Sequence, residues 1–144
     1  MKRKMHEINF DEAIDRILAR DSRYHPDAYQ FLREALDFTQ KKIRTENRGR
    51  VRHVTGQELL EGVRQFALEH FGPMSMTVLN EWGIRSCRQF GDIVFNMVEI
   101  GLLAKTATDT RGDFENGYDF DDAFRRPFLP PSKLPRGVPV TERS

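Results

Sequence analysis

Phosphate is the ligand that the densest run of charge in this chain would suit. Between Lys41 and His53 stand Lys41, Lys42, Arg44, Arg48, Arg50 and Arg52 against Glu46 alone. Cations at that density can neutralise nucleic-acid phosphates and release their counterions. Few aromatic residues are interleaved, so a base-stacking platform for single strands is poorly supported, while contact with the backbone of a duplex or a folded RNA stays open. A soluble loop, or pairing with acidic residues of the same molecule, accounts for the composition equally well. Those acidic residues lie further on, where Asp109, Asp113, Glu115, Asp119, Asp121 and Asp122 accompany Arg111 alone. Hard cations want several oxygens on a flexible loop, but the spacing fails. Setting Gly117 at the glycine of an EF-hand loop puts Gly112 and Ala123 at the two ends, where carboxylates are required. A solvated acidic face follows, with Asp119, Asp121 and Asp122 as candidates for meeting a protein partner.

Other reactive groups are sparse. His6, His25, His53 and His70 are scattered singly rather than at the i, i+4 spacing that lets imidazoles converge on a metal. Cys87, the single cysteine, falls in the first turn of an expected helix, where the dipole lowers a thiol pKa, yet nothing nominates a base beside it. A small buried residue is the expectation there. Neither a Walker loop nor a G-x-G-x-x-G is present. Carboxylate pairs that meet only in space are invisible at this stage. The expectation is a non-enzymatic binding module with no metal and no cofactor.

The 144 residues, 38% apolar, suffice for one compact domain with a real core. The formal net charge of +1 conceals the segregation described above. No apolar stretch is long enough for a membrane helix. Met1-Lys2-Arg3-Lys4 leads into Glu7 and Asp11 rather than an apolar signal segment, so a cytoplasmic protein is expected.

Helices must position these groups. Asn9 and Glu12 suggest a capping box before an apolar face of Phe10, Ile14, Ile17 and Leu18, ending near Arg20. Pro26 suits a first turn, and Tyr29, Leu32, Leu36, Thr39 and Ile43 carry helical spacing to about Arg44. Together these make a helical hairpin, followed by a basic linker. Thr55-x-x-Glu58 opens a third helix, which Gly72-Pro73 closes. A short helix runs from Ser75 to Trp82. Ser86-x-x-Gln89 reads as a capping box for the next, with Phe90, Ile93, Val94, Met97 and Val98 inward and Gly101 as its stop.

Lys105 to Thr110 and Asp113 to Phe120 alternate loosely around Arg111-Gly112, as two strands of a ribbon would. Helix, short helix, glycine turn, helix and ribbon is the order of a winged helix-turn-helix. The fold expected is therefore mainly α, a helical hairpin packed on a winged-helix-like unit with a small two-stranded antiparallel ribbon. Residues 1–52 form the hairpin and basic linker, 53–126 the winged-helix-like unit and 127–144 a proline-rich tail. The recognition helix is thinly equipped, since Arg85, Arg88 and Gln89 suit DNA but Asp92 and Glu99 do not, and the presumed wing is acidic.

Several blocks carry a resemblance: Arg23-Tyr24, Arg52 to Gly62, Phe71-Gly72-Pro73, Val78 to Ile84, Phe90 to Asn96 and Gly117-Tyr118-Asp119-Phe120. The chain resembles, from about Arg23 to Phe128, a conserved hypothetical bacterial family described from planctomycetes and verrucomicrobia, which brings no activity with it. Two readings are carried forward. In one, the basic segment, helped by Arg85 and Arg88, grips nucleic-acid backbone; in the other, an adaptor meets a protein through the acidic ribbon or the proline-rich tail.

Overall fold

The computed structural model describes residues 9–49, 53–103, 111–115 and 117–130. Among these residues the fold is mainly helical, with five α-helices: α1 (Phe10–Arg20), α2 (Pro26–Glu46), α3 (Gly56–Phe71), α4 (Ser75–Glu81) and α5 (Cys87–Glu99). Their starts follow from local chemistry. Asn9 Oδ1 accepts the backbone N–H groups of Asp11 and Glu12 at 2.8 and 3.3 Å, and His25 Nδ1 accepts that of Asp27 at 3.0 Å, with Pro26 beside it. Thr55 and Glu58 form the reciprocal capping box. The box expected at Ser86 does not form; Gln89 Oε1 instead accepts the N–H of Arg85 at 2.6 Å. At the far end of α5, Gly101 takes φ +89° and the N–H groups of Leu102 and Leu103 turn back to the Met97 carbonyl.

Two long helices make the frame. The buried stripe of α2 includes Ala28, Leu32, Ala35, Thr39 and Ile43, and it packs against α3 running the opposite way. Phe31 meets Phe71, Phe38 meets Phe66 and Lys42 reaches Gln65 as one helix rises and the other descends. Closest approach falls at Gly62, where any Cβ would overlap Thr39 Oγ1. This packing crosses the division expected at residues 52 and 53. α1 lies on α2, and Arg33 holds its guanidinium 4.6 Å from the centre of the Phe10 ring.

α5 runs through the middle of the protein. It buries Cys87, Phe90, Gly91, Asp92, Ile93, Val94, Asn96 and Met97, leaving only Arg88 and Glu99 exposed. Even the polar residues Asp92 and Asn96 are covered, by hydrogen bonds to Tyr24, Asp21 and Tyr29. The expected recognition helix therefore has no open face to lay in a groove of DNA, and the winged-helix reading loses its central element.

The ribbon is also corrected. Among the described residues there is no strand, and the expected first strand, Lys105 to Thr110, lies outside them. Over the second strand expected at Asp113 to Phe120, a 3-10 turn ends at Phe114 and residues 117–119 are irregular, leading into a π-helical turn over Asp121–Arg125. The reason lies in Asp119, whose Oδ2 accepts the N–H groups of Asp121 and Asp122 at 3.1 and 3.2 Å. That carboxylate caps a helical start, with acidic residues in its first turn, and outweighs a weak alternation on which two lone strands would be marginal. Phe114 and Phe120 do dock on the core, the former against Gly91.

Replacing glycine by alanine inside a helix ordinarily stabilises it by about 1 kcal/mol. At Gly62 the sign should reverse: Gly62→Ala should destabilise the protein by about 1 to 3 kcal/mol in urea unfolding, because Thr39 is buried and held to the Ala35 carbonyl at 2.7 Å. A gain in stability would show that α2 and α3 do not meet this closely.

Candidate binding surfaces

The polar residues of this fold gather in a place that no motif marks. Asp92 and Asn96, one turn apart on α5, face the connection between α1 and α2. Tyr24 donates its hydroxyl hydrogen to Asp92 Oδ2 at 2.8 Å, and Arg23 reaches the same oxygen at 3.3 Å. Arg23 also forks onto Asp21 at 2.9 and 2.7 Å, while Asn96 Nδ2 donates to Asp21 Oδ2 at 3.1 Å and to the Tyr29 hydroxyl at 3.0 Å. The Arg23 bonds hold the Asp21 carboxyl well below the ordinary carboxylate range. Burial pushes the phenol of Tyr24 upward, and the bond to Asp92 adds to it. Two carboxylates, a guanidinium, two phenols and an amide thus spend their hydrogen bonds on one another. Such a cluster ties elements together, and Asp92, counted against DNA binding in the sequence, points into the protein.

Each sequence-predicted residue has a definite place or lies outside the described chain. Lys41, Lys42 and Arg44 stand on the last turns of α2, where the helix dipole favours cations, and Arg48 follows in the turn. All four are exposed. Lys41 pairs with Asp37 at 3.1 Å, and Lys42 donates to Gln65 at 2.6 Å. Arg50 and Arg52 lie outside the described residues. Arg85 and Arg88 are exposed at the start of α5, and no bond among the described residues joins them to the α2 group.

The acidic candidates are largely compensated. Asp121 pairs with Arg125 at 3.4 Å, Asp122 with Arg126 at 2.7 Å, and Asp119 caps the turn. Their oxygens lie within 4.8 Å of one another, but two of the three already have a cation of this chain. Cys87 is buried, donates weakly to the Tyr118 carbonyl at 3.4 Å, and has its thiol pushed up to about 11 by desolvation.

What sequence reasoning missed is a groove along the outer side of α2. At its centre Phe31, Phe66, Phe71 and Trp82 line a cavity of about 230 Å³ that Asp27, Gln30, Glu34 and His70 complete. Phe31 is the hub, with ring centroids 5.5 Å from Phe66, 5.6 Å from Phe71 and 5.5 Å from Trp82. Through Gln30, Glu34 and Phe66 it continues into a cleft of about 680 Å³ that adds Arg33, Asp37, Phe38 and Lys41. Through Asp27 and Gln30 it continues into one of about 320 Å³ beside Phe10, Asp11, Ile14 and Asp15. Five carboxylates, Asp11, Asp15, Asp27, Glu34 and Asp37, face two basic side chains along its length.

If Asp92 ties α5 to the α1–α2 connection, Asp92→Ala should cost about 1 to 3 kcal/mol by leaving the Tyr24 hydroxyl buried without that acceptor. In urea unfolding the loss should shrink when Tyr24→Phe is already present, a coupling that an independent pair would lack. No family model matches the chain, nor does any curated protein or any solved structure.

Proposed function

We propose that this chain is a non-enzymatic, cytoplasmic adaptor that accepts a basic amphipathic segment of a protein partner in the groove along α2. The resemblance to a hypothetical bacterial family brings no activity, so the reading rests on geometry. One observation carries it: three neighbouring hollows that share lining residues along α2, with aromatic rings and an excess of carboxylates among those residues. Recognition of an amphipathic helix needs an apolar floor for its anchors and complementary charge at the edges. Both are present. The acidic surface first expected, at Asp119, Asp121 and Asp122, suits a partner less well, because Arg125 and Arg126 already answer its charge.

The probe is a labelled amphipathic helix of leucine and lysine, compared with its leucine and glutamate counterpart by fluorescence anisotropy. The lysine peptide should bind in the micromolar range, and Glu34→Lys with Asp37→Lys, both at exposed positions, should abolish binding. Equal binding of the two peptides, or binding that survives the double reversal, would overturn the reading.

A second reading keeps the nucleic-acid backbone as partner of Lys41, Lys42, Arg44 and Arg48, with Arg50 and Arg52 next in sequence. It is favoured by the pairing of Asp121 and Asp122 with Arg125 and Arg126, which leaves those carboxylates engaged away from the basic end of α2. Affinity for duplex DNA or RNA should then fall steeply with salt, and alanine at Arg48, Arg50 and Arg52 should weaken it for every sequence tested. No binding at low salt removes this reading.

A further inference from the structure

We infer that the cavity between Phe31, Phe66, Phe71 and Trp82 is a receptor for one cationic side chain, a lysine or an arginine. The inference rests on the groove reading and names the group that anchors the partner there.

Aromatic faces attract cations through their quadrupoles, most strongly at tryptophan, and the attraction grows where water is excluded. Here four rings converge while two carboxylates, Asp27 and Glu34, stand among the lining residues. Glu34 accepts from Gln30 Nε2 through Oε2 at 2.6 Å, and its Oε1 has no partner among the described residues. Asp27 comes within 3.8 Å of His25 Nδ1, but that nitrogen already accepts the Asp27 backbone N–H, so two acceptors face each other and the carboxylate is not neutralised. His70 completes the lining, its Nδ1 3.0 Å from the Phe66 carbonyl, which can only accept, so Nδ1 donates there.

Among the described residues, neither lysine nor arginine lines this place, unlike the adjoining cleft. The two basic residues of that cleft are committed elsewhere, Arg33 over the ring of Phe10 and Lys41 against Asp37. A hollow lined by four aromatic rings and two carboxylates, with no lysine or arginine among its described lining residues, is complementary to a long aliphatic stem that ends in positive charge. Lysine and arginine have that form. An uncharged apolar anchor would leave the mouth carboxylates facing it without compensation, and that occupant is distinguished by the test.

Trp82, the single tryptophan, makes the site its own reporter. Titration with N-acetyl-lysine amide should shift its emission saturably, whereas N-acetyl-norleucine amide, of similar stem and no charge, should not. Asp27→Asn with Glu34→Gln, both at exposed positions, should weaken the lysine response about tenfold, the scale of losing two exposed ion pairs. In the amphipathic probe, lysines changed to norleucine one at a time should show one position losing about tenfold and the rest little. An equal norleucine response, or a lysine response unmoved by the neutralised pair, overturns the inference. If the probe binds but all its lysines count equally, the groove stands and the cation receptor falls. If the probe fails to bind, the groove falls, and the amide titration still decides the cavity.

Discussion

A carboxylate sealed inside a small protein must be answered by charge and hydrogen bonds, and in this chain answering Asp92 arranges much else. Only 8% of Asp92 is exposed, so Tyr24 and Arg23 are drawn onto its oxygen and the connection between α1 and α2 is pinned to the central helix. The pin extends further. The Arg23 carbonyl lies where a Cβ on Gly83 would come within 2.5 Å, and the His25 N–H donates to the Trp82 carbonyl at 3.1 Å. Gly83 takes φ +93°, which a side chain would resist on both counts. The end of α4 is thereby fixed beside the start of α2. Trp82 is set against Phe31 as a result, and the aromatic floor of the groove follows from a polar contact on the other side of the connection.

Helix starts and stops were legible because their causes are local. Asn9, Pro26, Thr55 with Glu58, and Gly101 act within one or two turns, and each acts where the spacing put it. The ribbon was misread because Asp113 to Phe120 satisfies a weak period-two pattern and also holds a helical cap at Asp119. The cap makes two local backbone hydrogen bonds, whereas the ladder of an isolated two-stranded ribbon is marginal in water. The polar cluster needs residues from distant parts of the chain. Its one local trace is Asp92 and Asn96, a turn apart on an otherwise apolar helix, which sequence reasoning weighed only against DNA. The groove left less trace still. Phe71 and Trp82 occupy positions that helical spacing assigns to a core, and only the packing of α3 against α2 and of α4 against α3 leaves them half-exposed.

Charge tells a similar story about the limits of composition. The basic and acidic stretches look like counterparts in the sequence, separated by half the chain and opposite in sign. In the fold each finds partners nearby, Lys41 with Asp37 and the late aspartates with Arg125 and Arg126, at helical spacing. Along α2 the Lys41–Asp37 pair still leaves carboxylates in excess, where Asp11 and Asp15 of α1 and Asp27 and Glu34 of α2 line neighbouring hollows. The helix-turn-helix order of elements survives without its usual use, because the helix that would read bases is the one the core surrounds.

The burial of Cys87 has a use of its own. Its sulfur sits under the Tyr118 carbonyl, and Gly117 is packed so closely above it that a Cβ would come within 2.5 Å of the Sγ. An alkylating reagent reaches the thiol when the chain around residues 117 and 118 opens, locally or with the whole fold, so the lone sulfhydryl is a built-in indicator of opening there.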